Sequence, residues 1–500
     1  MKTMSVDWSA IEKEIAEAIG ADKVRSDLAT RITYSRDWSP RPAHEMIIPH
    51  LVVRPQSTED VAKVIKICNK YGVPITPVAG MTGMGGGAIP LYGGIVMDTK
   101  GMNRILEIDK ENHTVTVQTG ITIKALNDAL RPYGLWLPHD PESKPTSTVG
   151  AAICCDNDST FGIRWGKMMD HLLSAVIVTG SGDILRVGYR KAYCSSSGLK
   201  LHALLVGSEG TLGIVTEATL RVVPIPEYRW VDGAFFPSIS KAVEAAWRLI
   251  SSGLPIDAIN INDRFRLSFY THAYKMKYGR EPVVPEGTNA ILFYSMSGDR
   301  EVVEGLISYA RKIVKSFGGT IIEERDIVVS WWKSKHTLEF EPFKQKWPDS
   351  QREKKFGAAD VGVPPGRLEE LHERYVETVK KHGLKILGMN IYTERIGCVS
   401  PSISCAVYVG DSEEEVKRFY NYVREMSRIA IDLEGTASTY IGDTWRLVEV
   451  AEYEHASSMS YMRKIKELFD PNWIMNPGKK FRLPPHIEEK YRRLLGDEGC

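Results

Sequence analysis

None of the seven cysteines forms a CxxC pair, so the usual spacings of a zinc ribbon or an iron–sulfur module are missing. Reduced, mostly buried thiols are the expected state. No window reaches the roughly 18 uninterrupted apolar residues of a spanning helix. The opening "MKTMSVDWSAIEKEIAEAIG" reads as an amphipathic helix without the apolar core of a signal peptide. Charge of one sign is also lacking: the formal net charge is +1 and no basic run stands out, which argues against nucleic acid or an anionic membrane as partner. Repeats and low-complexity linkers are absent. These absences leave a soluble, cytoplasmic globular chain, with peripheral membrane contact still open.

At 500 residues, the chain exceeds one hydrophobic core, and two or three domains are expected. From Leu51 strand and helix alternate. "LVVRP" reads as a strand and "STEDVAKVIKICNKYG" as a helix capped by Ser57 and Asp60 and stopped at Gly72. "GIVMDT", "RILEID" and "HTVTVQTG" are short β pieces. "TIKALNDALRPYG" is a helix, and "LLSAVIVTGSGDILRVG" a hairpin. After about Pro226 the text changes to long helices between long strands such as "NAILFYSMSG", "LKILGMNIYT" and "SISCAVYVG". That pattern predicts an α+β antiparallel sheet with helices on one face. The expected division is a helical segment at 1–44, one domain at 45–226, a second at 227–430, and a returning C-terminal segment at 431–500.

The stretch "PITPVAGMTGMGGGAIP", Pro74 to Pro90, crowds glycines between two prolines. Successive backbone N–H groups in such a loop can form an anion nest. Gly83-Met84-Gly85-Gly86-Gly87-Ala88 fits the dinucleotide fingerprint as text, but Pro90 and Gly93 follow, and the next element is a strand. No helix starts there to hold a pyrophosphate. No Gly-Lys-Ser/Thr occurs either. The loop therefore suits a diphosphate held by backbone alone. "DPESKPTSTVGAA" and "GSEGTLGIVTE", also rich in small and hydroxyl residues, lie in the same half.

With those residues in view, the chain resembles the flavin-binding oxidases of the vanillyl-alcohol oxidase and p-cresol methylhydroxylase type. It is most similar to their D-lactate, glycolate and D-2-hydroxyglutarate dehydrogenase branch. "GGIVMDTKGMNRILEID", "DPESKPTSTVGA", "GSEGTLGIVTEATL" and "FDPNWIMNPGK" match that branch in order, from about Pro49 to Phe481. The resemblance implies two α+β subdomains that sandwich FAD, and an α+β cap with an antiparallel sheet. It implies that Val78, Ala79, Gly80, Met81, Thr82, Gly83 and Met84 wrap the diphosphate. Pro141, Ser143, Thr148 and Gly150 would line a second FAD segment, and Glu209, Gly213 and Ile214 the adenine and ribose side. Asn476 would approach the flavin from the C-terminus.

The chain departs from that pattern in several places. Val78 stands where relatives open the loop with arginine, Gly150-Ala151 replaces paired glycines, and Asp156-Asn157-Asp158-Ser159 replaces Asn-Ala-Gly-Gly. The glycine loop holds no histidine, so non-covalent FAD is expected. Cys154 and Cys155 lie near the flavin segment but read as buried small hydrophobes. The branch's His-x-Gly-Asp-Gly-Asn-x-His and Glu-His-Gly motifs are missing: "ERIGCVSPSIS" stands for the first, and Tyr440 and Ile441 fall where Glu and His would be. No metal site is expected.

Oxidation of a hydroxy acid needs a carboxylate anchor, a base for the hydroxyl proton and a hydride acceptor. "WWKSKHTLEF" resembles the family's Trp-x-x-Arg segment with Lys335 as anchor, or holds a solvated helix lysine. His336 beside it is a candidate base, imidazole being a common proton acceptor near neutral pH, or a structural histidine beside the tryptophans. Tyr440 is either a hydrogen-bonding acid or base or a packed tyrosine. Tyr392, Glu394 and Arg395 end a cap strand, and "FGAADVGVPPGRL" places Asp360 at the cap sheet. The expected function is FAD-dependent oxidation of an alcohol carbon, most simply of a D-2-hydroxy acid. The alternatives are an aryl-alcohol or phenol oxidase and a non-catalytic flavin-fold subunit. A small-molecule substrate and an external electron acceptor (oxygen, a quinone or a partner protein) are implied, and homo-oligomerisation stays open.

Overall fold

A computed structural model describes residues 6–42, 44–334 and 355–495. Among the described residues, three large sheets and a two-stranded ribbon (Leu135–Trp136 with Val223–Pro224) organise the chain. The first runs Val24–Arg25, Leu51–Val53, Ile95–Asp98 and Ile75–Val78, the last three parallel. Helix Thr58–Tyr71 links two of these strands. It starts where Ser57 accepts from the Asp60 N–H and stops at left-handed Gly72, both as the sequence predicts. Its Val61, Val64, Ile65 and Cys68 pack on the sheet with Ile11 and Ile15 of the N-terminal helix.

The second sheet is antiparallel: Ile105–Asp109, Thr114–Gln118, Gly213–Arg221, Leu172–Thr179 and Ile184–Gly188. Helix Val149–Cys155, unforeseen in the sequence, packs Val149, Ala152 and Ile153 into its core. The C-terminal chain returns to the first sheet, where Met475 bridges Ile75. The Asn476 N–H donates to the Ile75 carbonyl at 2.7 Å.

The third sheet has seven antiparallel strands in the order Thr320–Ile321, Tyr228–Phe236, Ala290–Gly298, Ile256–Asp263, Lys385–Arg395, Cys398–Val409 and Lys355–Gly362. Helices Ile239–Ser251, Arg300–Ser316, Leu368–Lys381 and Glu413–Asp432 cover one face. The expectation of helices on one face only is corrected. Phe235, Ile291 and Phe293 point the other way and pack on Leu267 and Tyr274 of helix Arg264–Tyr278 and on Val328 and Trp331 of helix Arg325–Ser334. Alternate strand residues face opposite sides, so apolar residues at both parities demand cover on both. Among the described residues no helix is long and apolar enough to cross a membrane.

Candidate active site

One large cleft opens where parallel strands Ile75–Val78 and Ile95–Asp98 end, against the start of Gly213–Arg221 and helix Val149–Cys155. Its atom-free space, open mouth included, is about 1380 Å³. Val78, Ala79, Gly80, Met81, Thr82, Gly83 and Met84 line it, as do Ser143, Gly150, Glu209, Gly213, Ile214 and Tyr440. Pro141 and Thr148 stand behind this wall. Thr148 is fully buried and caps the helix by accepting from the Ala151 N–H.

Asn476 does not line the cleft either; it ties two of its walls together. Its amide donates to the Gly87 carbonyl at 3.2 Å and the Glu209 carbonyl at 2.7 Å, and its oxygen accepts from Lys479. Lys479 also donates to the Gly87 and Ile89 carbonyls. Burial pushes its ammonium down to about 7, against the pull of Asp37 and Glu209.

The loop has the chemistry of an anion cradle. Among the described residues, no backbone N–H from Gly80 to Gly87 donates to another part of the chain. Unpaired amides facing a cleft call for an external acceptor. A Cβ on Gly83 would meet nothing within 4 Å, while one on Gly80 would lie 2.4 Å from the Thr146 carbonyl oxygen. Glycine at 80 lets the loop close on its neighbour; glycine at 83 bares the backbone to the cleft. Glu209, Glu142 and Asp158 are the charged residues of the described lining. Lys480 reaches Glu209 at 3.2 Å and Asp443 at 2.6 Å. These carboxylates hold its ammonium above its ordinary range although burial opposes them.

The cap contributes Tyr440 and Ile441. Asp360, buried in the strand Lys355–Gly362, fixes their loop. Its carboxylate accepts from the N–H groups of Tyr440 (2.8 Å) and Ile441 (2.6 Å) and from the Ser438 and Thr439 hydroxyls. Tyr440 meets Tyr392 edge-on, with ring centroids 6.4 Å apart. The Tyr392 hydroxyl donates to Glu142 at 2.8 Å. Burial first, then nearby carboxylates, raise both phenols well above their ordinary range, so both keep their protons. Tyr392 also borders a smaller cavity with Ser159, Thr160, Asn260, Trp331 and Asn390.

Of the remaining candidates, Lys335 and His336 lie outside the described residues. Arg395 ends its strand opposite Cys398, its side chain likewise outside them. Cys154 and Cys155 correct an expectation: both line the cleft, Cys155 with exposed surface there, instead of filling the core. Surrounding protein still pushes the Cys154 thiol up to about 11 and the Cys155 thiol upward as well. Glu142, Asn157, Asp158, Thr119 and Lys480 were missed in the sequence. Asn157 and Asp158 sit in the very segment that departs from Asn-Ala-Gly-Gly, which was the available signal.

The fold and this cleft define a flavin-dependent oxidoreductase. Residues 49–188 match the FAD binding domain family, and residues 225–480 match the FAD linked oxidases, C-terminal domain. The chain belongs to the FAD-linked oxidase family, and FAD is its cofactor. It is 28% identical to a probable mitochondrial D-lactate dehydrogenase of Danio rerio, over 96% of this chain and 94% of that one. It is 27% identical to the glycolate oxidase subunit GlcD of Bacillus subtilis, over 94% and 96%. The structure of 4-ethylphenol oxidase from Gulosibacter chungangensis superposes with a TM-score of 0.77 at 20% identity, covering 97% of this chain and 99% of that one.

Proposed function

We propose that this protein oxidises the alcohol carbon of a small D-2-hydroxy acid of the lactate or glycolate type. One observation carries the reading: a single cleft joins an unpaired backbone N–H cradle to a tyrosine-bearing cap, in a chain akin along its length to proteins named D-lactate dehydrogenase and glycolate oxidase subunit. Bound FAD supplies the acceptor for the substrate hydride.

In this reading the amides of the loop from Val78 to Met84 hold the diphosphate. Ser143 and Gly150 flank the flavin segment, Pro141 and Thr148 set that segment's course, and Glu209, Gly213 and Ile214 take the adenine and ribose side. Asn476 holds the loop to its neighbour. Lys335 anchors the substrate carboxylate with His336 beside it, and Tyr392, Tyr440 and Arg395 close over the reacting carbon. Protonated Cys154 and Cys155 are poor nucleophiles, which supports non-covalent FAD. The division at about 226 into FAD-binding and cap domains, with 431–500 returning to the flavin, follows the same reading. Electrons then pass to oxygen, a quinone or a partner protein.

A second reading, oxidation of an aryl alcohol or phenol, is favoured by the edge-on Tyr392–Tyr440 pair and by Trp331 on the adjoining cavity. Steady-state turnover with an artificial dye acceptor decides between them. D-lactate or glycolate should be oxidised and 4-hydroxybenzyl alcohol should not; the reverse preference replaces the first reading with the second. Flavin content without turnover on either class would indicate a non-catalytic subunit.

A further inference from the structure

Glu142 stands in "DPESKPTSTVG", whose other charged residues, Asp140 and Lys144, pair with each other at 2.6 Å. Glu142 lines the cleft. A run of hydrogen bonds through the cap sheet reaches its carboxylate. The Asn262 amide donates to Asn260 at 2.6 Å and Asn260 donates to Asn390 at 2.6 Å. Asn390 donates to the Tyr392 hydroxyl at 2.5 Å, and that hydroxyl donates to Glu142 at 2.8 Å. The Trp331 indole N–H adds a donor onto Asn260 at 3.3 Å.

Each member of this series donates one bond toward Glu142, Asn260 donating also to the Ile391 carbonyl at 3.3 Å, and hydrogen bonds aligned in one sense polarise one another. Asn260, Asn262 and Asn390 are all buried. Burying amides is costly unless they are bonded, and apolar strand residues would cover this face with no such cost. The main line of the run reaches a carboxylate at the cleft wall, which Tyr440 also lines.

We propose that Glu142 is the catalytic base of the alcohol oxidation, and that Tyr392, Asn390 and Asn260 are its positioning residues. The inference rests on reading the cleft as a hydroxy-acid oxidation site. The substrate O–H bond breaks and its proton passes to the Glu142 carboxylate. The carbinol C–H pair would leave as hydride, for which bound FAD would supply the acceptor, as the C=O bond forms and gives the 2-oxo acid. Tyr392, which keeps its proton, donates to the carboxylate and so fixes its orientation. The proton acceptor thus comes from the flavin-side wall, 250 residues from its cap partner.

The test uses FAD-loaded protein under anaerobic conditions, with flavin bleaching by D-lactate and by glycolate followed in the wild type, E142Q, E142G and Y392F. FAD affinity is measured separately by fluorescence quenching. E142Q should bleach about 100-fold or more slowly at saturating substrate, as loss of a general base requires, with FAD affinity within about two-fold of wild type. Added formate should speed E142G about ten-fold or more by replacing the lost carboxylate, a rescue that no structural role would give. Y392F should show a smaller loss, confined to the limiting rate. Wild-type bleaching by E142Q would overturn the inference while leaving the hydroxy-acid reading intact. So would a slow E142Q explained by lost FAD, or an E142G deaf to formate. A wild type bleached by neither acid would overturn the substrate reading, and the inference with it.

Discussion

Gly80 and Gly83 sit three residues apart in one loop under opposite constraints. G80A drives a methyl into the Thr146 carbonyl, 2.4 Å from the ideal Cβ, so it should lose about 1–3 kcal/mol of stability, read as a lower urea midpoint. G83A adds a methyl where nothing stands within 4 Å. Its urea midpoint should stay at the wild-type value while FAD affinity falls about ten-fold or more, since the methyl blocks backbone approach to the diphosphate. Equal FAD affinity in G83A would remove Gly83 from the cradle. The buried histidines give a second test. Burial holds His139 down to about 4 and His171 well below its ordinary range. Both are neutral when folded, whereas the unfolded chain protonates them below about pH 6.5. Below that pH the unfolded state binds more protons, so stability falls as pH drops from about 6.5 to 4, by about 3 kcal/mol for His139 alone. Urea midpoints across this range should slope less in H139Q than in the wild type.

Among the elements, the returning C-terminal segment around Asn476 decides whether the cleft keeps its shape. Asn476 is almost fully buried and bonds one carbonyl from each of two walls. N476A should cost about 1–3 kcal/mol, because the buried Glu209 carbonyl loses its donor while the Gly87 carbonyl keeps Lys479, and should weaken FAD binding as the walls separate. Wild-type urea midpoints and FAD affinity in N476A would show that the tie is dispensable. The elements also mark how far the sequence could be read. The glycine loop was legible because Pro90 and Gly93 rule out the helix that its text fingerprint demands. The three cleft walls were legible because small and hydroxyl residues cluster in each. Helix Arg264–Tyr278, "RFRLSFYTHAYKMKY", was not, since basic and aromatic residues are scattered around it without an apolar stripe. Helix Val149–Cys155 was hidden by its small residues. Glu142 was passed over because a lone carboxylate has no period, and its partner Tyr392 lies 250 residues away. Pairings of that kind are set by sheet order, which local patterns do not encode.

For the whole molecule, the cleft is walled by the first two sheets, by the cap loop around Tyr440 that Asp360 pins, and by the glycine loop that Asn476 and Lys479 hold in place. A ligand that fills it joins segments that lie between Pro77 and Ile441 in the chain. FAD should therefore stabilise the entire fold, by about 2.7 kcal/mol at a hundred-fold excess over its dissociation constant, seen as a rise in Tm with added FAD. Trichloroacetic acid precipitation should leave all the flavin in the supernatant. Flavin retained in the pellet would contradict non-covalent binding. The most direct test of the central claim is the anaerobic visible spectrum of the FAD-loaded protein before and after D-lactate is added. The two flavin bands should bleach on mixing, which establishes cofactor, reaction and substrate class at once; flavin bands that persist in full after D-lactate would contradict the assignment of a D-2-hydroxy acid substrate.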